Sequence, residues 1–394
     1  MPGELKNHSK LGIKGVLKLF IRIISSITLF IASFLVLWLH EEEAIESIQR
    51  IDAGRKLITS ISASTVDPSN NGALVHISGA AISNEVLKDE LFGINEQALR
   101  LKRIVEMYQW EKTKVRYNTY YNQIWSETLI DSDKFGIYDK LEYKNPTTMP
   151  YQSHIFSASK VNVGAFMLDK NLIDQMDEFS EYPVSQRTYD LIDDKLKQSL
   201  KINDTEYFIG NVLNPQIGDL RIKYGIIRPL VSVSVIGKQN NNIIEAFHTK
   251  NGEIALIVGQ NEDAEMMFST AENTYMYSST MWLWRMLAMV MLWIGCGTTL
   301  HPSLKKITDA GVVDIVSMIV ALIASFIIIA LFWLPHRSLF TATLLILSGC
   351  CTFAGLHIIK QNEIGVAFTE FIRGLMKILL YGVFVYLILY IYFS

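Results

Sequence analysis

The chain has 394 residues, 50% of them apolar and only 19% charged, with a mean hydropathy of +0.23. The charged share lies below the roughly 25% usual for soluble domains, which excludes a disordered chain and argues against an ordinary soluble enzyme. A net charge of −3 makes no case for nucleic-acid binding, which needs a strongly basic face, and three cysteines exclude a disulfide-stapled scaffold.

A bilayer core takes about 20 mostly apolar residues in helical form. The first such run is VLKLFIRIISSITLFIASFLVLWLH, uncharged from Ile23 to Leu39. It exceeds the roughly 7–15 apolar residues of a signal peptide and ends in Trp38-Leu39-His40-Glu41, so it reads as an uncleaved anchor. Residues 41–280 hold no comparable run. Four more follow at 281–300, 312–334, 338–359 and 375–393. Arg285, fifth in its run, is expected to snorkel outward, and Asp314, third in the next, sits at the opposite leaflet, so the two do not pair. Small residues at Gly295/Gly297 and Gly349/Ala354/Gly355 suit close helix packing, within the bundle or between copies.

Lysine and arginine in short flanks mark the cytoplasmic side. Lys6, Lys10, Lys14, Lys18 and Arg22 precede the first span, and Glu41, Glu42 and Glu43 follow it. The N-terminus is therefore expected in the cytoplasm, with residues 41–280 across the membrane. Lys305 and Lys306, then Lys360, Arg373 and Lys377, fall in the loops this assigns to the cytoplasm. Lys10, Lys14, Lys18 and Arg22 recur every four residues and form one basic stripe on a helix. The stripe reads either as an amphipathic foot on anionic lipid, at about 1 kcal/mol per basic residue, or as ordinary snorkelling at the start of a span.

The segment between the first two spans carries 34 acidic and 24 basic residues. Residues 41–56 read as a helical stalk continuing the first span, and 67–72 as a turn. Strand signals follow. Residues 73–79 form a short strand, and 99–112 with 115–130 form a long hairpin broken near Lys112-Thr113-Lys114. In its second arm Val115, Tyr117, Thr119, Tyr121, Gln123 and Trp125 share a face at period two. Residues 161–176 read as a helix or a strand-to-helix transition, and 186–199 as loop or helix. Strands return at 207–209, 219–226, 230–236, 243–248 and 253–258, with turns at 238–241 and at Lys250-Asn251-Gly252. Residues 262–279 read as a helix running into the second span. The fold class is α+β in a multi-pass helical membrane protein. Its parts are a basic segment and first span (1–40), a β-rich extracytoplasmic domain with helical stalks (41–280), and a C-terminal bundle of three to four spans (281–394).

No Walker, HExxH, GxSxG or CxxC motif is present. The eight histidines are scattered without metal-ligand spacing, and the carboxylate pairs Asp131/Asp133, Asp177/Glu178 and Asp193/Asp194 lie in polar stretches that suit a solvated surface. No catalytic residue, cofactor or metal site is assigned. Asn203-Asp204-Thr205 fits a glycosylation acceptor on the extracytoplasmic side.

Gly72 to Gly79, then FGINEQALRLKRIVEMYQWEK (92–112), resemble the transmembrane protein 43 (LUMA) family. IWSETLIDSDKF, KNPTTMP, SASKVNVGAFMLDKNLIDQMDEF, IGDLRIKY and FHTKNGEIALIVGQ continue the likeness in order, over about residues 45–300. The resemblance implies a non-enzymatic membrane organiser that self-associates. In an animal it would sit in the endoplasmic reticulum and inner nuclear membrane and contact lamins and emerin; in a bacterium, the inner membrane. The chain departs from the family's four spans in its candidate fifth, 375–393.

Within the resemblance, Val105, Met107 and Gln109 of VEMYQW would point one way and Glu106, Tyr108 and Trp110 the other. The strand either fills the domain core or presents aromatic residues to a partner. The leading function is a membrane scaffold whose partners are the lipid bilayer, further copies of itself and other proteins, with no nucleic acid. The alternatives are an ion channel or channel regulator built from the bundle, and a sensor coupling the domain to the bundle through its two helical ends.

Overall fold

The computed structural model describes residues 13–116, 118–136, 139–304 and 310–361. The fifth expected span, 375–393, lies outside these residues, as do Lys10 and Tyr117. The chain divides into two compact units. One is Arg50–Thr270; the other comprises the described residues before Arg50 and from Ala271 onward.

The chain opens with helix α1 (Ile13–Leu57). At about 1.5 Å per residue its 45 residues extend far beyond a bilayer core of about 30 Å, as expected of a span continued by a stalk. Phe20, Ile24, Ile27, Phe30, Ile31 and Leu35 are exposed, as lipid-facing side chains would be. Ser33, Leu37, Glu41, Ala44, Ile45 and Ile48 are buried, and their three-to-four-residue spacing makes one stripe.

The strands follow as β1 (Thr59–Ser60), β2 (Leu74–Ile82), β3 (Val86–Asp89), β4 (Ile94–Gln97), β5 (Arg100–Val115) and β6 (Asn118–Ser126). A short helix α2 (Asp139–Glu142) precedes β7 (His154–Ser157), β8 (Asn162–Val163) and β9 (Phe166–Leu168). Helix α3 (Lys170–Gln175), strand β10 (Ser180–Tyr182) and helices α4 (Gln186–Asp190) and α5 (Asp194–Lys197) lead to β11 (Leu200–Asn203), β12 (Glu206–Ile209), β13 (Leu220–Ile227) and β14 (Val231–Asn240). The last strands are β15 (Ile243–Glu245), β16 (Phe247–Thr249), β17 (Gly252–Ile254) and β18 (Leu256–Val258). Helices α6 (Ala264–Tyr277), α7 (Ser279–Leu304), α8 (Ala310–Trp333) and α9 (Ser338–Gln361) complete the described chain.

Two large sheets build the unit Arg50–Thr270. In the first, β2 and β14 pair antiparallel over eight residues, and this pairing closes β2, β8, β9, β15 and β14 into a ring, with β1 and β18 alongside. In the second, the order is β11-β12-β13-β5-β6; β10 lies beside β13, and β7 beside β5. Val75, Ile77, Val105, Met107, Ile222 and Val235 are buried in one core shared by the two sheets. Glycine is needed at two close approaches. Gly164 has φ +60°, and a Cβ there would lie 2.1 Å from the Ala63 carbonyl oxygen. Gly54 lets the end of α1 meet Ile254 and Phe268, since a Cβ would fall 2.8 Å from Ile254 Cδ1.

The other unit contains most of the apolar length. Among the described residues four helices are long and apolar enough to cross a membrane. Gly295 carries no side chain where α1 approaches: a Cβ would lie 3.4 Å from the Ser26 carbonyl oxygen, and Ser26 Oγ donates to the Gly295 carbonyl at 2.8 Å. Gly355 similarly lies beside Ile319 of α8. Both are packing contacts within the bundle, whereas a Cβ on Gly349 would meet open space.

Several expectations shift. The long hairpin breaks at Arg116, φ +55°, not at Lys112–Lys114, so Val115 closes β5 instead of opening the second arm. Three polar residues do not end a strand whose pairing runs unbroken beneath them. β14 likewise runs on to Asn240, and the turn falls at Asn241, φ +54°. The expected strand 243–248 splits into β15 and β16, which join different sheets. The β3–β4 hairpin was not expected, because its four-residue arms are too short and charged to show a period.

Candidate functional site

The VEMYQW segment is the centre of β5, and strand alternation sorts its side chains. Val105, Met107 and Gln109 are buried, at 0%, 1% and 0% exposure. Gln109 is tolerated there because each end of its amide has a partner. Its Nε2 donates to the Thr128 carbonyl at 3.0 Å and its Oε1 accepts from the Ile130 amide at 2.8 Å. Asn145, also buried, brackets the next residue: it accepts from the Trp110 amide at 2.7 Å and donates to the Trp110 carbonyl at 2.9 Å.

Glu106, Tyr108 and Trp110 line the opposite, half-buried face. Antiparallel pairing with β13 sets Arg221 opposite Glu106, and Arg221 Nε donates to Glu106 Oε2 at 2.6 Å. Lys223 reaches the same oxygen at 3.0 Å. The Arg221 guanidinium lies 4.7 Å above the Trp125 ring, which packs 5.0 Å from Tyr108. Further along, Trp110 meets Tyr143 edge-on at 5.0 Å, and Tyr143 stacks on Tyr121 at 3.8 Å. Lys112 Nζ pairs with Asp139 at 3.0 Å beside them. Burial raises the cost of ionising Glu106, but the hydrogen bonds and charges of Arg221 and Lys223 outweigh it and hold its carboxyl below the ordinary value. The result is a half-exposed array of tyrosine, tryptophan and arginine on β5, β6 and β13.

Behind this sheet lies a satisfied polar cluster. Asp89, 3% exposed, accepts from Tyr224 Oη at 2.7 Å and from Arg103 at 2.6 Å. Burial, and then the Asp89 charge, push the Tyr224 hydroxyl up; burial likewise pushes Tyr207 up to about 12. Both remain protonated donors at neutral pH, which is a structural role. Two of the three carboxylate pairs supply caps: Asp131 caps the turn 132–135 by accepting from the Asp133 amide, and Asp193 caps α5 by accepting from the Lys195 amide; Asp177 and Glu178 are exposed.

His76 is buried in β2. Its Nε2 lies 3.0 Å from the Glu262 carbonyl oxygen, and its Nδ1 lies 3.1 Å from the Ser60 hydroxyl. Burial lowers its pKa, against the raising effects of the Glu262 carbonyl and of Asp263. Among the described residues no group of three or more His, Cys, Asp or Glu side chains could hold a metal ion.

In the helical unit the structure gives Arg285 a partner that sequence reasoning did not identify. Arg285 does not snorkel outward; it is 5% exposed and forms a two-pronged ion pair with Glu41, itself 0% exposed. Arg285 Nε lies 2.7 Å from Glu41 Oε1 and NH2 lies 2.9 Å from Oε2, and the Trp333 indole donates to Oε2 at 2.5 Å. The rings of Trp282 and Phe340 flank the guanidinium at 5.2 and 5.7 Å. The cluster ties α1, α7 and α8 together. The one signal in the sequence was an arginine inside an apolar run, which demands a partner when buried. Of the basic stripe, Lys18 and Arg22 are exposed on α1; Lys14 lies on the same helix.

The sequence profile of the family described as Transmembrane protein 43 matches residues 105–338. The human Transmembrane protein 43 is 30% identical over 264 residues, covering 61% of this chain and 64% of the relative. The match thus spans just under two thirds of the human protein's length. The rat protein is 26% identical over 368 residues, 84% of this chain and 88% of the relative. A Drosophila melanogaster homolog is 25% identical over 349 residues, 81% and 90%. No solved structure matches the chain.

Proposed function

Because this chain belongs to the transmembrane protein 43 family, an integral membrane family, we propose that it is a non-enzymatic membrane scaffold. On this reading its β-rich domain associates with further copies and with other proteins, while the helices anchor it. The observation that carries the proposal is the half-buried array of Tyr108, Trp110, Trp125, Tyr143 and Arg221 on one sheet face. Tyrosine, tryptophan and arginine are the residues that dominate binding energy in protein interfaces. On this reading the N-terminus lies in the cytoplasm and the domain on the far side, from the basic residues before the apolar part of α1 and the acidic run after it. The membrane is the endoplasmic reticulum or inner nuclear membrane in a eukaryotic host and the inner membrane in a bacterial one.

The test is light scattering on the detergent-solubilised full chain across a concentration series. A mass of two or more copies is expected. A single-copy mass at every concentration would overturn the self-association. A channel formed by the bundle gains no support from the polar side chains described there: Ser317 and Ser325 donate to carbonyls of their own helix, and Glu41 is paired with Arg285.

A further inference from the structure

Strand β6 is the outermost of its sheet. Among the described residues it pairs with β5 alone, through nine consecutive positions without a bulge. The phase of the ladder follows from its neighbours. The Tyr108 amide donates to the Asp219 carbonyl at 2.8 Å, its carbonyl accepts from Gly218 at 2.9 Å, and both backbone groups of Trp110 go to Asn145. Tyr108 and Trp110 therefore turn their backbones away from β6. In an antiparallel ladder the residues opposite them, Trp125 and Gln123, must turn theirs away from β5. By the same two-residue repeat, so do Tyr121 and Thr119.

Four alternate residues of β6 thus direct N–H and C=O groups off the edge of the sheet. None of these groups has a hydrogen-bond partner among the described residues. β7 lies on the same side of β5, but only beside Arg100–Arg103, beyond the end of β6. Phe135 and Tyr143 set their rings against Tyr121, and no backbone group of residues 132–136 or 139–143 is hydrogen-bonded to the β6 backbone among the described residues.

Such an edge is normally blunted by lysine, proline, a bulge or a covering segment. The opposite edge of this sheet, β11, has four residues and carries Lys201. β6 reads NTYYNQIWS, with nine residues, no charge and no proline. We propose that this edge pairs with the β6 edge of a second copy of the chain, antiparallel about a two-fold axis, continuing the sheet from one copy to the next. The inference rests on the self-association proposed above and names its surface.

The occupant follows from self-complementarity. Centred on Asn122, the antiparallel register faces Tyr121 with Gln123 of the other copy and Thr119 with Trp125 of the other copy. Every outward backbone group then meets an outward backbone group. No like charges are brought together along the strand, although the segment 41–280 carries ten more acidic than basic residues. Aromatic and branched side chains meet across the join: Tyr120 faces Ile124, and Thr119 faces Trp125.

The experiment uses the full chain in detergent. Asn122, exposed and central, would stand directly opposite its own copy, so Asn122→Cys is expected to give a disulfide-linked dimer under mild oxidation that reductant reverses. Leu213→Cys, 95% exposed but outside β6, is the control and is expected to give none. Asn122→Lys sets two like charges face to face, and Gln123→Pro deletes an outward amide without removing a β5 hydrogen bond. Both are expected to lower the mass to one copy with an unchanged thermal midpoint. Should Gln123→Pro unfold the domain, the exposed Asn122→Lys still decides. If the wild type assembles, both variants stay assembled and Asn122→Cys does not cross-link, the β6 interface is wrong and association uses another surface. If the wild type is a single copy throughout, the self-association reading falls, and this inference with it.

Discussion

At Glu106 a single carboxylate holds two cations on a sheet face that is only half covered. Because Arg221 and Lys223 keep its pKa below the ordinary 4.5, the ionised form is favoured in the folded chain over the unfolded one. The sign follows from linkage: this stabilisation is complete above pH 4.5 and is lost as the pH falls through the lower, folded value. Glu106→Gln is expected to cost roughly 1–3 kcal/mol at neutral pH, as expected for loss of charge-assisted hydrogen bonds. It should also flatten the acid limb of a plot of thermal midpoint against pH. An acid limb identical to wild type would show that the two cations do not depend on Glu106. Alternation alone made the orientation of Glu106, Tyr108 and Trp110 legible in the sequence. The identity of their partners was not, since Arg221 lies 115 residues on and meets Glu106 only through the register of β13.

Among the elements, helices α1, α7 and α8 are held by one ionic cluster. Arg285→Ala would leave Glu41 0% exposed and without its counter-charge. Removing one partner of a buried pair costs roughly 3–5 kcal/mol. A marked drop in the thermal midpoint in detergent is therefore expected. The double variant Glu41→Leu/Arg285→Met should recover much of that loss, since it buries no lone charge. It should not recover all of it, because the Trp333 indole loses its acceptor. A double variant no better than Arg285→Ala would mean that packing volume, not charge, sets the effect. The spans themselves were plain from their apolar length, and the helical continuation of the first from its pattern. The cluster was invisible because its members are 244 and 292 residues apart, and each alone has an ordinary explanation: a flank acid, a snorkelling arginine, an interfacial tryptophan.

For the whole molecule, the proposed orientation, with residues 41–280 across the membrane from the N-terminus, gives a direct prediction. Asn203 is exposed at the β11–β12 turn, where Asp204 has φ +56°. Synthesis of the full chain with microsomes should add one glycan there, removed by Asn203→Gln, and the domain should resist external protease until detergent is added. Digestion in sealed vesicles would place the domain on the cytoplasmic side and reverse the orientation.

Hydropathy and charge are properties of consecutive residues, so the apolar spans, the β-rich segment between them and the alternation of VEMYQW could all be read along the chain. The family resemblance was legible for the same reason, being carried by blocks in order. Tertiary structure decided what depends on pairing between distant residues: the ring of strands closed by β2 and β14, the union of Glu41 with Arg285 and Trp333, and which strand ends the second sheet. β6 and β5 look alike as amphipathic strands. Only the backbone ladder shows that β5 lies between β13 and β6, while among the described residues β6 is paired on one side.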